Sequence, residues 1–420
     1  MKALAVVGGG VSGIVAAYYL SRRYSVTLIE GDQRLGGHTN TREVRDSQGR
    51  SLRVDTGFIV CNNRTYPLFH RFLSELGIPV RDADMSFGFY DRASGFEYSG
   101  ATLCGLFPSL GDALSLPRWR FFLNVLRFNR RALIDLESGA LTGLTLSEYL
   151  GARGVSEQVA QDYILPLSAA IWSASVATMA NTPAESVLRF FKNHGLLELW
   201  KRPQWQTVVG GSQAYVQRFK DLFSGTLRIG ERVRSVRREA GQVHIELEDG
   251  SQHRYDGVVL ATHADITRSL LADPDPVEAE LLEPWSYEDN VTVLHTDTSF
   301  LPPSNRVWAS WNYQRDGTGD GSRISVTYHM NRLQGLTTPD QYLVTLNPSR
   351  PIPQEKVLYQ TTYSHPHYTL ASLGAQKELH RLQGRRNTYF CGSYFGYGFH
   401  EDAVRSAVEV ARLLGCEEVV

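Results

Sequence analysis

The sequence predicts an α/β fold: a two-dinucleotide-binding, Rossmann-like domain into which an α+β domain with a helical portion is inserted. First, an apolar run over Ala3–Val7 leads into a glycine-rich turn at residues 8–13. Second, the strand predicted over Ser25–Glu30 completes a strand–helix–strand unit and ends in an acid. Third, strand patterns return in the middle of the chain, and its end predicts a strand, a loop and a helix over 388–414.

The elements follow one another in a recognisable order. Continuous apolar runs such as residues 3–7 are typical of buried parallel strands. Helices are predicted over 14–23 and over 65–76, the second ending before Gly77 and Pro79. The stretch 106–200 is mostly helical in pattern. Further strands are predicted over 225–236, 242–247, 255–262, 291–296, 306–311, 325–330, 342–346 and 388–391, and a last helix over 403–414.

The dinucleotide-binding domain is therefore predicted to be discontinuous. Its pieces are residues 1–85, 205–265 and 385–420, and the substrate or cap domain takes residues 86–204 and 266–384. No repeat, low-complexity segment or long flexible linker separates the pieces.

Composition narrows the function classes. A chain of 420 residues with 42% hydrophobic and 21% charged residues is ordinary for a soluble protein with more than one core. The net charge of -1 argues against a general nucleic-acid binder, which needs excess Lys and Arg. The four cysteines lack the spacing of zinc ligands, so we predict no metal site and a reducing, cytoplasmic location. No run of about 18 apolar residues predicts a spanning helix.

The glycine-rich turn is the first motif with a chemical meaning. Gly8 permits a tight turn, Gly10 lets the backbone approach a pyrophosphate, and Gly13 lets helix and strand pack closely. The intervening Val11 and Ser12 open a helix whose N-terminus faces the anion. At the end of the second strand, Glu30 can accept hydrogen bonds from ribose hydroxyls, with Gly31 directly after it. The alternative is a structural turn and a surface glutamate.

Two loops extend this interpretation. Arg34, Gly36 and Gly37 form an Arg-x-Gly-Gly loop that a plain nicotinamide-binding domain does not need, followed by His38 and Thr39. The arginine can neutralise pyrophosphate charge, and the glycines permit close backbone approach. The second loop runs from Asp55 through Thr56, Gly57 and Phe58 to Ile59, where Gly57 suggests close approach to a ring. Ordinary loops are the alternative for both.

The C-terminal motif pairs a strand end with a helix start. Gly392 and Ser393 follow the predicted strand, and His400, Glu401, Asp402 and Ala403 open the last helix. The N-terminus of such a helix can stabilise negative charge on a bound ring, and His400 either adds to this or is a structural histidine. In the central strands, Val233 is in place to offer backbone bonds to adenine, and Ala261 and Thr262 end an apolar strand.

Together these motifs resemble the flavin amine oxidase superfamily, which includes phytoene-desaturase-like and protoporphyrinogen-oxidase-like enzymes. A closer resemblance is to a predicted family of FAD-dependent oxidoreductases related to the N-terminal flavin domain of plant cyclopropane fatty acid synthases. The resemblance implies non-covalent FAD, bound by the residues named above, and links related proteins to modified fatty acyl chains. The segments that carry it are 55–60, 65–67, 84–87, 171–173, 193–197, 202–205, 364–366 and 396–402.

Two departures from the superfamily pattern bear on activity. Where the pattern has Glu-Gly-Ala, this chain has Glu401, Asp402 and Ala403. Amine oxidases of the superfamily tend to carry a lysine beside the flavin in the later substrate-domain strands, and residues 290–354 contain none. We therefore expect amine oxidation to be disfavoured.

The leading hypothesis is dehydrogenation of a fatty acyl or other lipid chain, with hydride transfer to flavin N5. Candidate catalytic groups are His400, His365 and Tyr328, with His329 beside the last. The alternatives are an amine oxidase, or a flavin-bound accessory protein of a lipid-modifying methyltransferase. Aromatic residues of the inserted domain either line an acyl tunnel or form an ordinary core: Phe87, Phe89, Trp172, Phe190, Trp200, Trp205, Trp308 and Trp311.

Residues 117–136 mix arginine with tryptophan, phenylalanine and leucine at helical spacing. Interfacial helices have this composition, so the segment is a candidate for peripheral contact with the inner face of a membrane. A cap helix with a solvated arginine face explains the pattern equally well.

Overall fold

The computed structural model describes residues 1–100, 102–198, 203–317 and 323–416. Its strands, in chain order, are β1 (Ala3–Val7), β2 (Ser25–Glu30), β3 (Thr41–Arg45), β4 (Ser51–Asp55), β5 (Cys61–Asn62), β6 (Val80–Asp82), β7 (Phe87–Asp91), β8 (Glu97–Ser99), β9 (Trp205–Val208), β10 (Thr226–Ile229), β11 (Val233–Glu239), β12 (Gln242–Leu247), β13 (Gln252–Tyr255), β14 (Gly257–Leu260), β15 (Ser286–His295), β16 (Trp311–Asp316), β17 (Arg323–His329), β18 (Leu343–Leu346), β19 (Val357–His367) and β20 (Thr388–Phe390).

The α-helices, in the same order, are α1 (Val11–Leu20), α2 (Pro67–Glu75), α3 (Leu103–Leu106), α4 (Leu110–Leu114), α5 (Leu116–Ser138), α6 (Leu146–Ala152), α7 (Glu157–Val159), α8 (Leu165–Trp172), α9 (Val176–Asn181), α10 (Ala184–Asn193), α11 (Gln213–Leu222), α12 (Ala264–Leu270), α13 (Pro276–Leu282), α14 (Met330–Leu333), α15 (Leu370–Glu378) and α16 (His400–Leu413). A π-helical turn over Ala160–Ile164 joins α7 to α8.

A five-stranded parallel sheet lies at one end of the molecule, in the order β10-β2-β1-β14-β20. Its strands come from the beginning, the middle and the end of the chain, as the discontinuous domain requires. Helices α1 and α16 pack against each other beside it. The antiparallel sheet β11-β12-β13 lies next along the chain from β10.

The inserted part is built on a seven-stranded sheet in the order β19-β15-β18-β17-β16-β7-β8, in which only β16 and β7 pair in parallel among the described strands. Helices α3 to α10 lie between β8 and β9 in the chain. The predicted α/β fold with an inserted α+β part is confirmed; the domain boundaries themselves stay a prediction.

Most predicted elements occur where the sequence places them, with shifts at their ends. The strand predicted over 306–311 is wrong: Asn305–Val307 forms a 3-10 turn capped by the Ser304 hydroxyl, and β16 begins at Trp311. The strand predicted over 225–236 is two strands, because Gly230 turns the chain with a φ of +79°.

Two apolar clusters hold these layers together. One joins the parallel sheet to α1, α2, α11 and α16 and includes Ile14, Phe72 and Phe219. The other includes Phe89 and Phe191 of the inserted part together with Val7 and Val258 of the parallel sheet. No helix in the described residues is both long and apolar enough to cross a membrane.

Candidate flavin site

A cavity of about 1560 Å³ begins at the carboxyl ends of β1, β2 and β14 and reaches the seven-stranded sheet and the helices beside it. In open parallel sheets, ligands bind at the carboxyl ends of the strands. Single small-ligand sites usually measure about 300–1,000 Å³, so this cavity has room for a dinucleotide and a further molecule. Its lining divides into a glycine-rich part and an aromatic part.

The glycine-rich part surrounds the start of α1. Gly8 has a φ of +104°, and a Cβ at Gly9 would lie 2.5 Å from the Leu35 side chain and 2.8 Å from Glu30 Oε2. A Cβ at Gly10 would have no protein atom within 4 Å, although Gly10 lines the cavity. No side chain in the described part of the chain caps the N-terminus of α1. Its first N–H groups are therefore available to an anion, which the helix dipole favours.

Glu30 lies at the rim of this part. Its Oε2 accepts a hydrogen bond from the Gly9 N–H at 2.6 Å, and its Oε1 accepts one from the Asp32 N–H at 2.7 Å. Burial raises the pKa of this carboxyl, which the two backbone donors oppose. Each oxygen keeps a further lone pair for a ribose hydroxyl. Gly31 and Val233 line the cavity on the same side.

Arg34 lines the cavity but uses its guanidinium to hold the neighbouring loop. Its Nη2 donates to the Gly37 carbonyl at 2.7 Å and its Nη1 donates to the Thr39 carbonyl at 2.9 Å. The loop glycine Gly36 has a φ of +120°, and a Cβ there would lie 2.5 Å from the Thr39 carbonyl oxygen. The arginine thus fixes the loop and keeps a positive charge beside the uncapped start of α1.

Three histidines of the cavity lining lie close together. The His38 ring centroid lies 5.1 Å from that of His365 and 5.9 Å from that of His263. Tyr363 stacks on His38 at 5.0 Å, and Tyr287 stacks on His263 at 4.4 Å. Burial lowers the pKa of all three imidazoles, that of His365 to about 4. Repulsion by neighbouring histidines adds to this at His38 and His365, whereas Asp265 and Asp289 oppose it at His263. The cluster is therefore neutral at pH 7.

Hydrogen bonds from two asparagines fix the tautomer of His365. The Val291 N–H donates to Asn347 Oδ1 at 3.0 Å, and Asn347 Nδ2 donates to Asn290 Oδ1 at 2.7 Å. Asn290 Nδ2 then donates to His365 Nδ1 at 3.1 Å. Because a backbone N–H can only donate, the whole chain of bonds has one direction. Neutral His365 therefore carries its proton on Nε2 and is a hydrogen-bond donor there.

The other two predicted catalytic groups, His400 and Tyr328, have hydrogen-bond partners within the protein. The His400 ring stacks on Phe58 at 3.6 Å, and its Nε2 lies 3.1 Å from the Thr39 hydroxyl. Burial lowers the pKa of His400 to about 3. The Tyr328 hydroxyl donates to the Ala170 carbonyl at 3.3 Å, and burial raises its pKa to about 12. Both side chains line the cavity.

His329 does not line the cavity. Neighbouring residues of a strand point to opposite faces, and next to Tyr328 in β17 its imidazole turns away to Gln341. We therefore remove it from the candidates.

The aromatic part of the cavity lies among α5, α8, α10 and the seven-stranded sheet. Of the aromatic residues predicted for an acyl tunnel, Phe87, Trp172, Phe190, Trp205 and Trp311 line it. Phe89 and Trp308 do not, and Trp200, like Arg202, lies outside the described residues.

His194 borders this aromatic part. Its ring stacks on Phe190 at 3.7 Å, and Nδ1 lies 3.0 Å from the Phe190 carbonyl oxygen, which can only accept. Neutral His194 therefore has its proton on Nδ1 and accepts from the Thr65 hydroxyl at Nε2.

Several predicted binding residues lie behind the lining. The Asp55 carboxylate is fully buried and accepts hydrogen bonds from the Ser212 N–H, the Thr41 hydroxyl and Gln334 Nε2. The Thr56 hydroxyl bonds to Tyr363. These contacts fix the loop that presents Gly57, Phe58 and Ile59 to the cavity. Asp55 and Thr56 are not among the described lining residues, and their contact with a ligand stays a prediction.

The same holds for four further residues. Gly13 packs against the turn, where a Cβ would lie 1.8 Å from the Gly8 carbonyl oxygen. Thr39 bonds to the Tyr215 hydroxyl at 2.6 Å. Glu401 accepts from the first N–H groups of α2, and Asp402 accepts from the Tyr397 and Phe399 N–H groups. The aspartate that replaces the superfamily glycine thus caps its own helix, while Gly392, Ser393 and Ala403 line the cavity.

Three lining residues that the sequence analysis missed stand out. His263 directly follows the predicted pair Ala261 and Thr262, and that adjacency was a usable signal. Tyr287 and Tyr363 lie on β15 and β19, and no local pattern marks them. Within the described residues, no group of three or more His, Cys, Asp or Glu side chains could hold a metal ion.

Four features of the site fit FAD: an uncapped helix start, glycines at its turn, the acid Glu30 at the end of β2 and a cavity with room beyond a dinucleotide. The fold and the site define a flavin-dependent oxidoreductase. The chain matches the model of the flavin containing amine oxidoreductases over residues 11–347, and it belongs to that family. It is an FAD-dependent oxidoreductase.

Two characterised enzymes are similar to parts of this chain. Polyamine oxidase 4 of Oryza sativa subsp. japonica is 24% identical over 326 residues, which cover 71% of this chain and 59% of that enzyme. (S)-6-hydroxynicotine oxidase of Paenarthrobacter nicotinovorans is 39% identical over 88 residues, 21% of this chain and 20% of that enzyme. The chain thus aligns with less than two thirds of either relative.

Solved structures share the fold over nearly the whole chain. Cyclohexylamine oxidase from Brevibacterium oxydans IH-35A superposes with a TM-score of 0.71 at 16% identity, covering 99% of both chains. The CLA-producing fatty acid isomerase from P. acnes superposes with a TM-score of 0.69 at 18% identity, covering 98% of both chains. At these identities the likeness concerns the fold alone.

Proposed function

We propose that this protein dehydrogenates a fatty acyl or other lipid chain. The observation that carries the proposal is the aromatic part of the cavity, which continues from the glycine-rich part that fits FAD. When bound, FAD supplies a hydride acceptor at its N5 atom. The residues of the chain then have to bind an apolar substrate, exclude water and handle one proton.

The aromatic part is suited to an alkyl chain. The ring centroids of Trp172, Phe190 and Phe399 lie within 6.1 Å of one another. The Trp172 Nε1 donates to the Tyr397 carbonyl, so its polar atom is satisfied by the protein. Apolar walls of this kind favour burial of methylene groups by about 0.8 kcal/mol each.

The histidine cluster handles the proton. Loss of a hydride and a proton from neighbouring carbons leaves a double bond, so a base must accept the proton. The neutral Nε2–H tautomer of His365 is a donor and orients a substrate carbonyl or hydroxyl oxygen. The neutral rings of His38 and His263 remain to accept the proton. The proposal thus gives His365, one of the predicted catalytic candidates, a polarising role.

Amine oxidation is the second candidate, because relatives of this chain oxidise amines by name. The lining disfavours it. No lysine among the described residues lines the cavity. Its acids are all engaged within the chain; Asp84, for example, pairs with Arg332 at 2.7 Å. A substrate ammonium would therefore meet no uncompensated carboxylate among the described lining residues.

FAD is proposed to bind non-covalently, since none of the four cysteines is among the described lining residues. A role as flavin-bound accessory of a lipid methyltransferase would use the same pocket without turnover.

Anaerobic mixing with candidate substrates separates these functions. Free fatty acids, phospholipids and primary amines are each added to the FAD-loaded protein, and the visible flavin absorption is followed. Bleaching by an acyl compound supports dehydrogenation. Bleaching by amines alone contradicts it, and a flavin that stays oxidised with every compound indicates the accessory role.

A further inference from the structure

Helices α3, α4 and the first half of α5 present large apolar side chains to solvent. Leu103, Leu110, Leu114 and Leu116 are 79–85% exposed. Trp119, Leu123 and Leu126 continue the exposed surface along α5. We call these seven residues the leucine face. Soluble proteins rarely expose contiguous apolar surface of this kind without a partner.

Arginines accompany the leucine face. Residues 102–131 contain five arginines and one aspartate, whereas the whole chain has a net charge of -1. Arg120, Arg127, Arg130 and Arg131 are exposed on α5. Asp112, the one acid, is paired with Arg118 at 2.7 Å. The segment is therefore strongly cationic, although the rest of the molecule is slightly anionic. Its positive charge complements an anionic surface.

The cavity reaches this face. Leu103, Trp119 and Leu126 are exposed to solvent and also line the cavity. Behind them, Phe121 and Phe122 carry the lining inward. The aromatic part of the cavity therefore opens at the leucine face, where a molecule that enters meets large apolar side chains first.

We propose that the leucine face inserts into the interface of an anionic membrane, so that an acyl chain passes from the lipid into the cavity without crossing water. The insertion stands on the exposed leucines and the arginine excess; that the chain taken up is the substrate rests on the proposed function. Leucines bury into the acyl region while long arginine side chains reach phosphate groups above them. A second copy of this chain is a poor occupant, because two cationic faces repel.

Vesicle co-sedimentation of the FAD-loaded protein tests the insertion. We expect binding to vesicles of phosphatidylcholine with phosphatidylglycerol, weaker binding to pure phosphatidylcholine, and loss of the difference at high salt. The variant L110E/L114E/L116E removes three exposed leucines that do not line the cavity, and its binding should fall at least about tenfold. The control L222E/L370E/L413E changes leucines exposed elsewhere and should bind as the wild type does.

Wild-type protein that ignores anionic vesicles, or a triple variant that binds as well as the control, overturns the proposal. So does a wild-type dimer that the triple variant dissociates, since that result assigns the face to self-association. Flavin content and circular dichroism show whether each variant is folded. Failure of the proposed function is seen separately: flavin reduction by a short, monomeric acyl substrate does not need the face and should be equal in all three proteins.

Discussion

At the scale of single residues, the site depends on the missing Cβ atoms of its glycines as much as on the side chains around them. Gly10 and Gly13 differ in this respect although both belong to one motif. A Cβ at Gly10 would project into open space, whereas one at Gly13 would meet the Gly8 carbonyl oxygen at 1.8 Å. The first glycine leaves room for the ligand and the second leaves room for the fold.

The pair therefore makes a matched test. Gly10→Ala should leave apo-protein stability within about 1 kcal/mol and weaken FAD binding at least about tenfold, because the methyl group occupies the pyrophosphate position. Gly13→Ala should lower the free energy of unfolding by about 3 kcal/mol, as overpacking against backbone does. Thermal unfolding of the apo-proteins and quenching of flavin fluorescence measure the two effects. An alanine at position 10 that binds FAD normally would contradict the assignment.

The role of a residue could be predicted from the sequence where that role depends on its neighbours in the chain. The positions of Gly8, Glu30 and Gly37 at the cavity could be predicted because the strands, turns and helix around them are consecutive in the chain. Tyr363 and Asn290 are not readable, because they acquire their roles only when β15 pairs with β19, which joins residues about seventy positions apart. The support that Asp55 gives its loop could not be predicted for the same reason, because its partner Ser212 is remote in sequence.

At the scale of elements, β15, β18 and β19 together set the chemistry of His365. Asn290 on β15 lies opposite Tyr363 of β19, and Asn347 follows β18 with a φ of +46°. This placement delivers the one-directional chain of hydrogen bonds to His365 Nδ1. The strand predicted over 306–311 is wrong because Val307 is buried in a 3-10 turn and Ala309 in the irregular segment before β16.

Asn290→Asp should reverse the His365 tautomer. A carboxylate at position 290 can only accept a hydrogen bond, so the His365 ring would carry its hydrogen on Nδ1 and donate it. The negative charge beside the ring would also raise the pKa of His365 from about 4. Because the donor at Nε2 is lost, flavin reduction at pH 7 should slow by about tenfold or more. Nitrogen chemical shifts of the histidine rings report the tautomer. His194, whose proton is held on Nδ1 by Phe190, is the internal control and should not change. An unchanged His365 would contradict the chain of bonds.

At the scale of the whole molecule, burial of neutral histidines couples stability to pH. Burial lowers the pKa of His194 and of His295 to about 4, from an ordinary value of 6.5. Between these values the unfolded chain takes up protons and the folded protein does not. Stability therefore falls as pH falls from 6.5 towards 4, and is unaffected by these groups above that range.

The expected loss is about 2 kcal/mol for each of the two histidines between pH 7 and pH 5. His295→Asn should be less stable than the wild type at pH 7 but lose less on acidification, since it has no group to titrate. Urea denaturation at a series of pH values measures both. Equal pH dependence in the two proteins would show that His295 titrates with the same pKa in the folded and the unfolded protein.

The central claim is that the aromatic part of the cavity holds an acyl chain that loses two hydrogens to FAD. It is tested most directly by a single anaerobic turnover with stoichiometric fatty acyl substrate, in which flavin absorption and product mass are measured together. The account predicts bleaching of the flavin and an equal amount of product lighter by two hydrogen atoms. A product of unchanged mass with the flavin oxidised at the end would mean isomerisation, and unchanged substrate would mean that the acyl chain is not what this enzyme oxidises; either result contradicts the account.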